Sequence, residues 1–266
     1  MDVSAFYENI RTGAEFCGVT MTEAVAMLRE AGLNGIYVCL DSLRDFMPEI
    51  EAVMENTGVR ISGLHAWIDL DRNPEGYKEL VDAAVNVNTD NVLIVPYCSE
   101  AHTEGPMKTL LDGVQAAVTY GRERGIKVCM EDMDRLDSPY NSVAGLENFL
   151  SHIPGLYCCF DTGNFIMHQE DELEAFQHFQ SRVCAMHLKD RTRKADNADD
   201  IGRIIADGSV RYPCPVGSGF IRIKEILELS GNIPLIAELY DYSPEHMLEG
   251  LRKSVEWIVN LLKKNP

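Results

Sequence analysis

Four side chains in the second half of the chain are of types suited to one chemical task. The run KVCMED presents Glu131, and Asp132 behind it. LYCCFD ends on Asp161, VCAMHL carries His187, and PLIAEL carries Glu238. Each lies at the end of a short apolar run of strand-like character. Their separations are 30, 26 and 51 residues, close to one strand-plus-helix unit each, with the last enlarged by a long loop. Three carboxylates brought together without partners would each be costly to bury, and a divalent cation removes that cost. Two glutamates, an aspartate and an imidazole make a hard, mostly oxygen donor set. It suits Mn²⁺, Mg²⁺ or Co²⁺ and accepts Zn²⁺. His187 would then bind through one ring nitrogen while a second acceptor holds the other.

Each residue also has a plainer reading. A strand-end histidine is often structural, and Asp-Thr-Gly is often a turn. Glu131 could pair with Lys127 or Arg135, and Glu238 could cap a helix. What favours the metal reading is the coincidence of ligand types at four successive strand ends.

The elements needed to position these groups are legible as an alternation. Strand-like runs fall at 3–7, 35–40, 60–67, 91–97, 127–132, 156–161, 183–188 and 234–239. Helical stretches lie near 21–31, 44–57, 74–88, 107–124, 143–152, 170–180, 220–230 and 245–264. The last has Leu248, Leu251, Val255, Ile258, Val259 and Leu262 on one face, the spacing of an amphipathic helix. Thr20 or Thr22 can cap the first helix, and Gly32, Gly58 and Gly125 follow helices where a left-handed residue is wanted. Eight strand units alternating with eight helical units predict an α/β fold, a (β/α)8 TIM barrel, as a single domain over 1–266. A doubly wound open sheet is disfavoured, because no glycine-rich phosphate loop follows the first strand.

In such a barrel function gathers where strands end and the following loops begin. The run LHAW therefore puts His65 and Trp67 at the rim, where the indole could stack on a sugar face. Lys189 could bind a hydroxyl or carboxylate, or pair with Asp190. Tyr7 and Tyr97 read as wall residues. Residues 190–219 form the longest insertion, and the expectation is a lid, with Arg211 reaching a substrate anion.

The order MED, FDTGN, MHLKD, VGSGF and IAEL resembles the sugar phosphate isomerase/epimerase family of xylose isomerase-like TIM barrels, a group that includes ketose 3-epimerases, hydroxypyruvate isomerase and inosose dehydratase. The resemblance spans nearly the whole chain and is most specific from residue 127 to 239. It implies one divalent metal held by Glu131, Asp161, His187 and Glu238. In the epimerase branch it also implies that Glu131 and Glu238 act as the acid/base pair. Two positions depart from the family pattern. Asn164 stands where a histidine is common, so it can bind a substrate hydroxyl but carry no proton. Tyr37 lies near the place of a common glutamate. The expected activity is a keto-polyol isomerisation or epimerisation by α-proton transfer through an enediolate, with a dehydratase or lyase as the alternative and a non-catalytic sugar binder behind both.

Composition bounds the partners. A net charge of −18 opposes nucleic acid and anionic membranes. A multinuclear metal-dependent endonuclease on this scaffold would need more rim histidines than His65 and His187. No apolar stretch is long enough to span a bilayer, and the N-terminal run lacks a basic patch followed by an apolar segment. A small carbohydrate substrate in the cytoplasm is expected, with homo-oligomer formation left open. Most of the eight cysteines lie in strand-like runs without a CxxC pair, so reduced core thiols are expected.

Overall fold

A computed structural model describes residues 2–98 and 104–264. Eight parallel strands close into a barrel: β1 (Val3–Phe6), β2 (Gly35–Cys39), β3 (Arg60–Asp69), β4 (Asn91–Tyr97), β5 (Lys127–Met130), β6 (Tyr157–Asp161), β7 (Val183–Leu188) and, after an excursion, β11 (Leu235–Ala237). The ring closes where β1 pairs with β11, Ser4 opposite Ile236. Helices cover the outside: α1 (Tyr7–Cys17), α2 (Met21–Ala31), α3 (Leu40–Thr57), α4 (Tyr77–Asn86), α5 (Glu104–Glu123), α6 (Val143–His152), α7 (Glu172–Phe179), α8 (Ile223–Ser230) and α9 (Met247–Lys264). The predicted (β/α)8 barrel is therefore the observed fold.

The local rules that place these elements are visible. Thr20 caps α2 with a reciprocal capping box to Glu23. Gly18, Gly32 and Gly58 end α1, α2 and α3 in the left-handed region. On α9, Leu248, Leu251, Val255 and Ile258 are buried against the barrel. Among the described residues every cysteine is free, and Cys129, Cys158 and Cys159 are fully buried. No helix among the described residues is long and apolar enough to cross a membrane.

Two elements differ from the sequence expectation. Residues 7–17 form an additional helix, α1, so Tyr7 opens a helix instead of ending a strand. Its ring is buried and its hydroxyl donates to Glu49. This segment is polar and contains Gly13, which weakens any helical reading. The glycine is there for packing, since a Cβ would lie 2.8 Å from a Leu248 side-chain carbon on α9.

The other difference is the insertion at 190–219, expected to be a lid. It contains a three-stranded antiparallel sheet of β8 (Asp190–Thr192), β9 (Arg203–Ile204) and β10 (Val210–Cys214), in the order β8-β10-β9. Asp190 anchors it. Its carboxylate accepts backbone N–H groups of Gly217 and Gly219, both at 2.9 Å, and of Ile221 at 3.3 Å. Asp190→Ala strands these donors, and each buried donor left unmet costs ~1–3 kcal/mol. The expected result is a loss of about 3 kcal/mol in urea denaturation, with a loss under about 0.5 kcal/mol showing that the loop is held by other contacts.

Candidate active site

The barrel brings the four predicted donors to one point. Glu131 lies just past β5, Asp161 ends β6, His187 lies in β7, and Glu238 follows β11. Each offers one donor atom within 4.8 Å of the other three. His187 Nδ1 is 2.8 Å from Glu131 Oε2 and 3.4 Å from Glu238 Oε2. One Asp161 oxygen accepts the Gly163 N–H at 2.7 Å, which aims the other inward. The Glu238 N–H donates to Leu188 O, fixing that residue against β7.

Lys189 enters the same cluster. Its ammonium lies 2.6 Å from Glu238 Oε1 and 3.0 Å from Asp161 Oδ2, and it donates to Asn164 Oδ1 at 2.9 Å. The Asn164 amide in turn donates to Asp132 O. The predicted alternative pairing of Lys189 with Asp190 does not occur, because Asp190 faces the opposite way, toward the Gly217–Ile221 turn.

Electrostatics follows from this crowding. Burial pulls the His187 imidazole toward neutrality, but Glu131 and Glu238 outweigh it and lift its pKa to about 10. Asp161 is pushed up to about 7, by burial first and by the neighbouring glutamates, against the opposing Lys189 charge. Glu238 is buried too, yet Lys189 and His187 hold it well below the usual carboxylate range. Asp132 is fully buried with neither side-chain oxygen hydrogen-bonded. Burial, then the charges of Asp161 and Glu131, drive it far up, toward the neutral acid. Without a metal, the positive charges of Lys189 and His187 stand against the carboxylates of the cluster.

The four convergent donors fit a divalent ion, which would take the place of the His187 proton among the carboxylates. The Asp161 Oδ2 atom is buried without a well-aligned hydrogen bond, and Glu238 has one oxygen for Lys189 and another beside His187. One expectation is corrected. His187 faces the carboxylates with Nδ1, and its Nε2 is buried without a hydrogen-bond acceptor. Aromatic packing orients the ring instead, with Phe6 and Tyr37 edge-on at centroid distances of 4.8 and 5.2 Å. Titrating Mn²⁺, Mg²⁺, Co²⁺ or Zn²⁺ into chelator-treated protein should raise its melting temperature by about 5 °C, given that a ligand at 100 Kd adds ~2.7 kcal/mol. Asp161→Asn should remove most of that gain.

The cluster opens into a cavity of about 360 Å³, within the range of small-ligand sites. Of the sequence-predicted residues, His65, Trp67, Glu131, Asn164, Lys189 and Glu238 line it. Trp67 is 53% exposed and meets Tyr97 edge-on at 6.3 Å. A larger groove of about 840 Å³ lies beyond Trp67 and contains none of the four donors, so the smaller cavity is the candidate site. Arg211 is not brought to it. Its guanidinium bonds Ser209 Oγ and Val210 O and lies over Phe220. Arg191 and Arg203 line the cavity instead, Arg191 almost fully buried and Arg203 bidentate to Asp241.

Sequence reasoning missed Glu8. It sits in the first turn of α1, lines the cavity and accepts the Cys39 N–H at 2.9 Å. The available signal was its position two residues after β1, at the end of the barrel where the other sites gather.

A family model described as "Xylose isomerase-like TIM barrel" matches residues 25–261. The chain belongs to that family. No curated protein matches it. Among solved structures, this xylose isomerase-like barrel resembles the IOLI protein with a binding zinc atom, at TM-score 0.75 and 12% identity over 99% of both chains. It also resembles the probable 3-DHS dehydratase AsbF of Bacillus anthracis, at TM-score 0.72 and 14% identity over 98% of this chain and 99% of that one. A third is D-allulose 3-epimerase from Methylomonas sp., at TM-score 0.72 and 11% identity over 98% of both. At such identities the likeness is one of fold. Enzymes of epimerase and dehydratase type share this architecture.

Proposed function

We propose that this xylose isomerase-like barrel is a divalent-metal-dependent isomerase or epimerase of small keto-sugars or keto-polyols. One observation carries the reading: Glu131 and Glu238, from well-separated strands, both line one sugar-sized cavity and both approach the buried His187. The residues that would hold the ion are Glu131, Asp161, His187 and Glu238, and a bound cation supplies Lewis-acid polarisation of a substrate carbonyl.

The chain's own groups supply the rest. Glu238, ionised and lining the cavity, takes the α-proton. Glu131 approaches from β5 and returns a proton from the other side in epimerisation, or to the neighbouring carbon in isomerisation. Asn164, fixed by Lys189 and Asp132 O, binds a substrate hydroxyl without moving a proton. Trp67 lines the cavity and offers its indole face to the substrate.

The test is an NMR screen of ketoses and keto-polyols in D₂O with Mn²⁺. Deuterium at a carbon next to the carbonyl, lost in Glu238→Gln, is the expected outcome. Absence of exchange with every carbonyl sugar would reject the proposal. An unsaturated product would move the assignment to a dehydratase, which begins with the same proton removal.

A further inference from the structure

We propose that Glu8, Cys39 and His65 form a second metal site, of zinc type, opening on the same cavity as the four-donor cluster. One donor atom from each lies within 4.8 Å of the other two. The residues come from α1, the end of β2 and β3, so the site is assembled by the parallel pairing of the first three strands, which sets Cys39 opposite His65. All three line the cavity.

The unmet atoms point to an ion. His65 is 8% exposed, and its Nε2 is buried without a hydrogen bond; so is Glu8 Oε2. These two atoms face each other at 3.7 Å, which is too long for a hydrogen bond. Two donors each about 2.0–2.2 Å from a four-coordinate ion stand roughly 3.3–3.6 Å apart. The observed spacing is a tenth of an ångström beyond that of ligands around a shared cation, a gap that a small side-chain rotation closes.

Both side chains are also held in that orientation. The Cys39 N–H fixes Glu8 Oε1 at 2.9 Å, leaving Oε2 to point at the histidine. The His65 ring is stacked on Tyr37, with planes 1° apart and centroids at 5.5 Å, and Phe6 is edge-on at 5.3 Å.

The donor set also selects the ion. Imidazole and sulfur favour Zn²⁺ or Co²⁺ over Mg²⁺. One carboxylate and one thiolate balance a divalent charge, so a loaded site is neutral inside a mostly desolvated wall. Cys39 loses its proton on binding. Three protein ligands leave a fourth position open toward the cavity, available to water or a substrate hydroxyl. Phe6 is edge-on to both His65 and His187, which sets the two sites about one ring apart.

Cobalt is the probe. Protein stripped with chelator and dialysed against Co²⁺ should hold two equivalents and show a near-ultraviolet thiolate-to-cobalt band. Cys39→Ser should lose the band and one equivalent, and His65→Gln should lose the same equivalent. Glu238→Gln should keep the band while losing the other equivalent, so failure of the four-donor cluster reads out separately. A single equivalent without the band overturns the proposal. So does a band that survives Cys39→Ser, which would place the sulfur ligand at Cys159, beside Glu131 and His187.

Discussion

Glu238→Gln should lower turnover by about 10⁴-fold, with smaller changes in substrate affinity. General acid–base catalysis by a positioned carboxylate contributes ~10²–10⁴-fold, and this residue is also a candidate metal donor, which puts the expectation at the upper end. The physical basis is its unusual balance of forces. Glu238 is only 6% exposed, and burial alone would protonate it. The Lys189 ammonium at 2.6 Å and the His187 ring at 3.4 Å reverse that and keep it a carboxylate. The amide is isosteric, keeps an acceptor for Lys189, and cannot take a proton. Metal content measured alongside turnover separates the two roles. Lost turnover with retained metal identifies the base, and loss of both identifies a ligand. A variant within about tenfold of wild type in isotope exchange would remove Glu238 from the chemistry.

Lys189→Met should destabilise the metal-free protein by about 3–5 kcal/mol, the cost of leaving a buried charge unpaired. Methionine matches the length of the lysine stem and packs well, so lost volume is a minor part. What is lost is the counter-charge of two almost fully buried carboxylates, Asp161 and Glu238, together with the hydrogen bond to Asn164 Oδ1. A divalent ion would return positive charge to the same carboxylates. Mn²⁺ or Zn²⁺ should therefore raise the melting temperature of the variant more than that of wild type. Urea denaturation with and without metal checks both statements. A variant as stable as wild type without metal would show that the cluster is already neutralised by protonation, with Asp161 the acid.

Much of the architecture was legible because strand and helix periodicities are local. Runs such as NVLIVPY and VCAMHL, and the apolar face of α9, mark their elements without reference to the rest of the chain. The order of donor types at strand ends was equally readable, since each follows its own apolar run. Less was legible where a residue's meaning depends on a distant neighbour. The helix α1 is weakly marked because Gly13 serves contact with α9, so Glu8 went unread with it. Arg211 looked like an anion binder by charge alone, whereas β10 directs it to Ser209 and Phe220, and the fold puts Arg191 and Arg203 at the cavity.

By itself, then, the sequence determined the alternating (β/α)8 plan and which strand ends carry acid and imidazole groups. Hydrophobic periodicity is written in neighbouring residues and needs no long-range information. Only the tertiary structure decided that Lys189 turns into the carboxylate cluster, that aromatic rings hold His187 where an acceptor was expected, and that Glu8, Cys39 and His65 meet. Those outcomes depend on side-chain directions once the strands pair, which are set by packing between residues tens of positions apart in the chain.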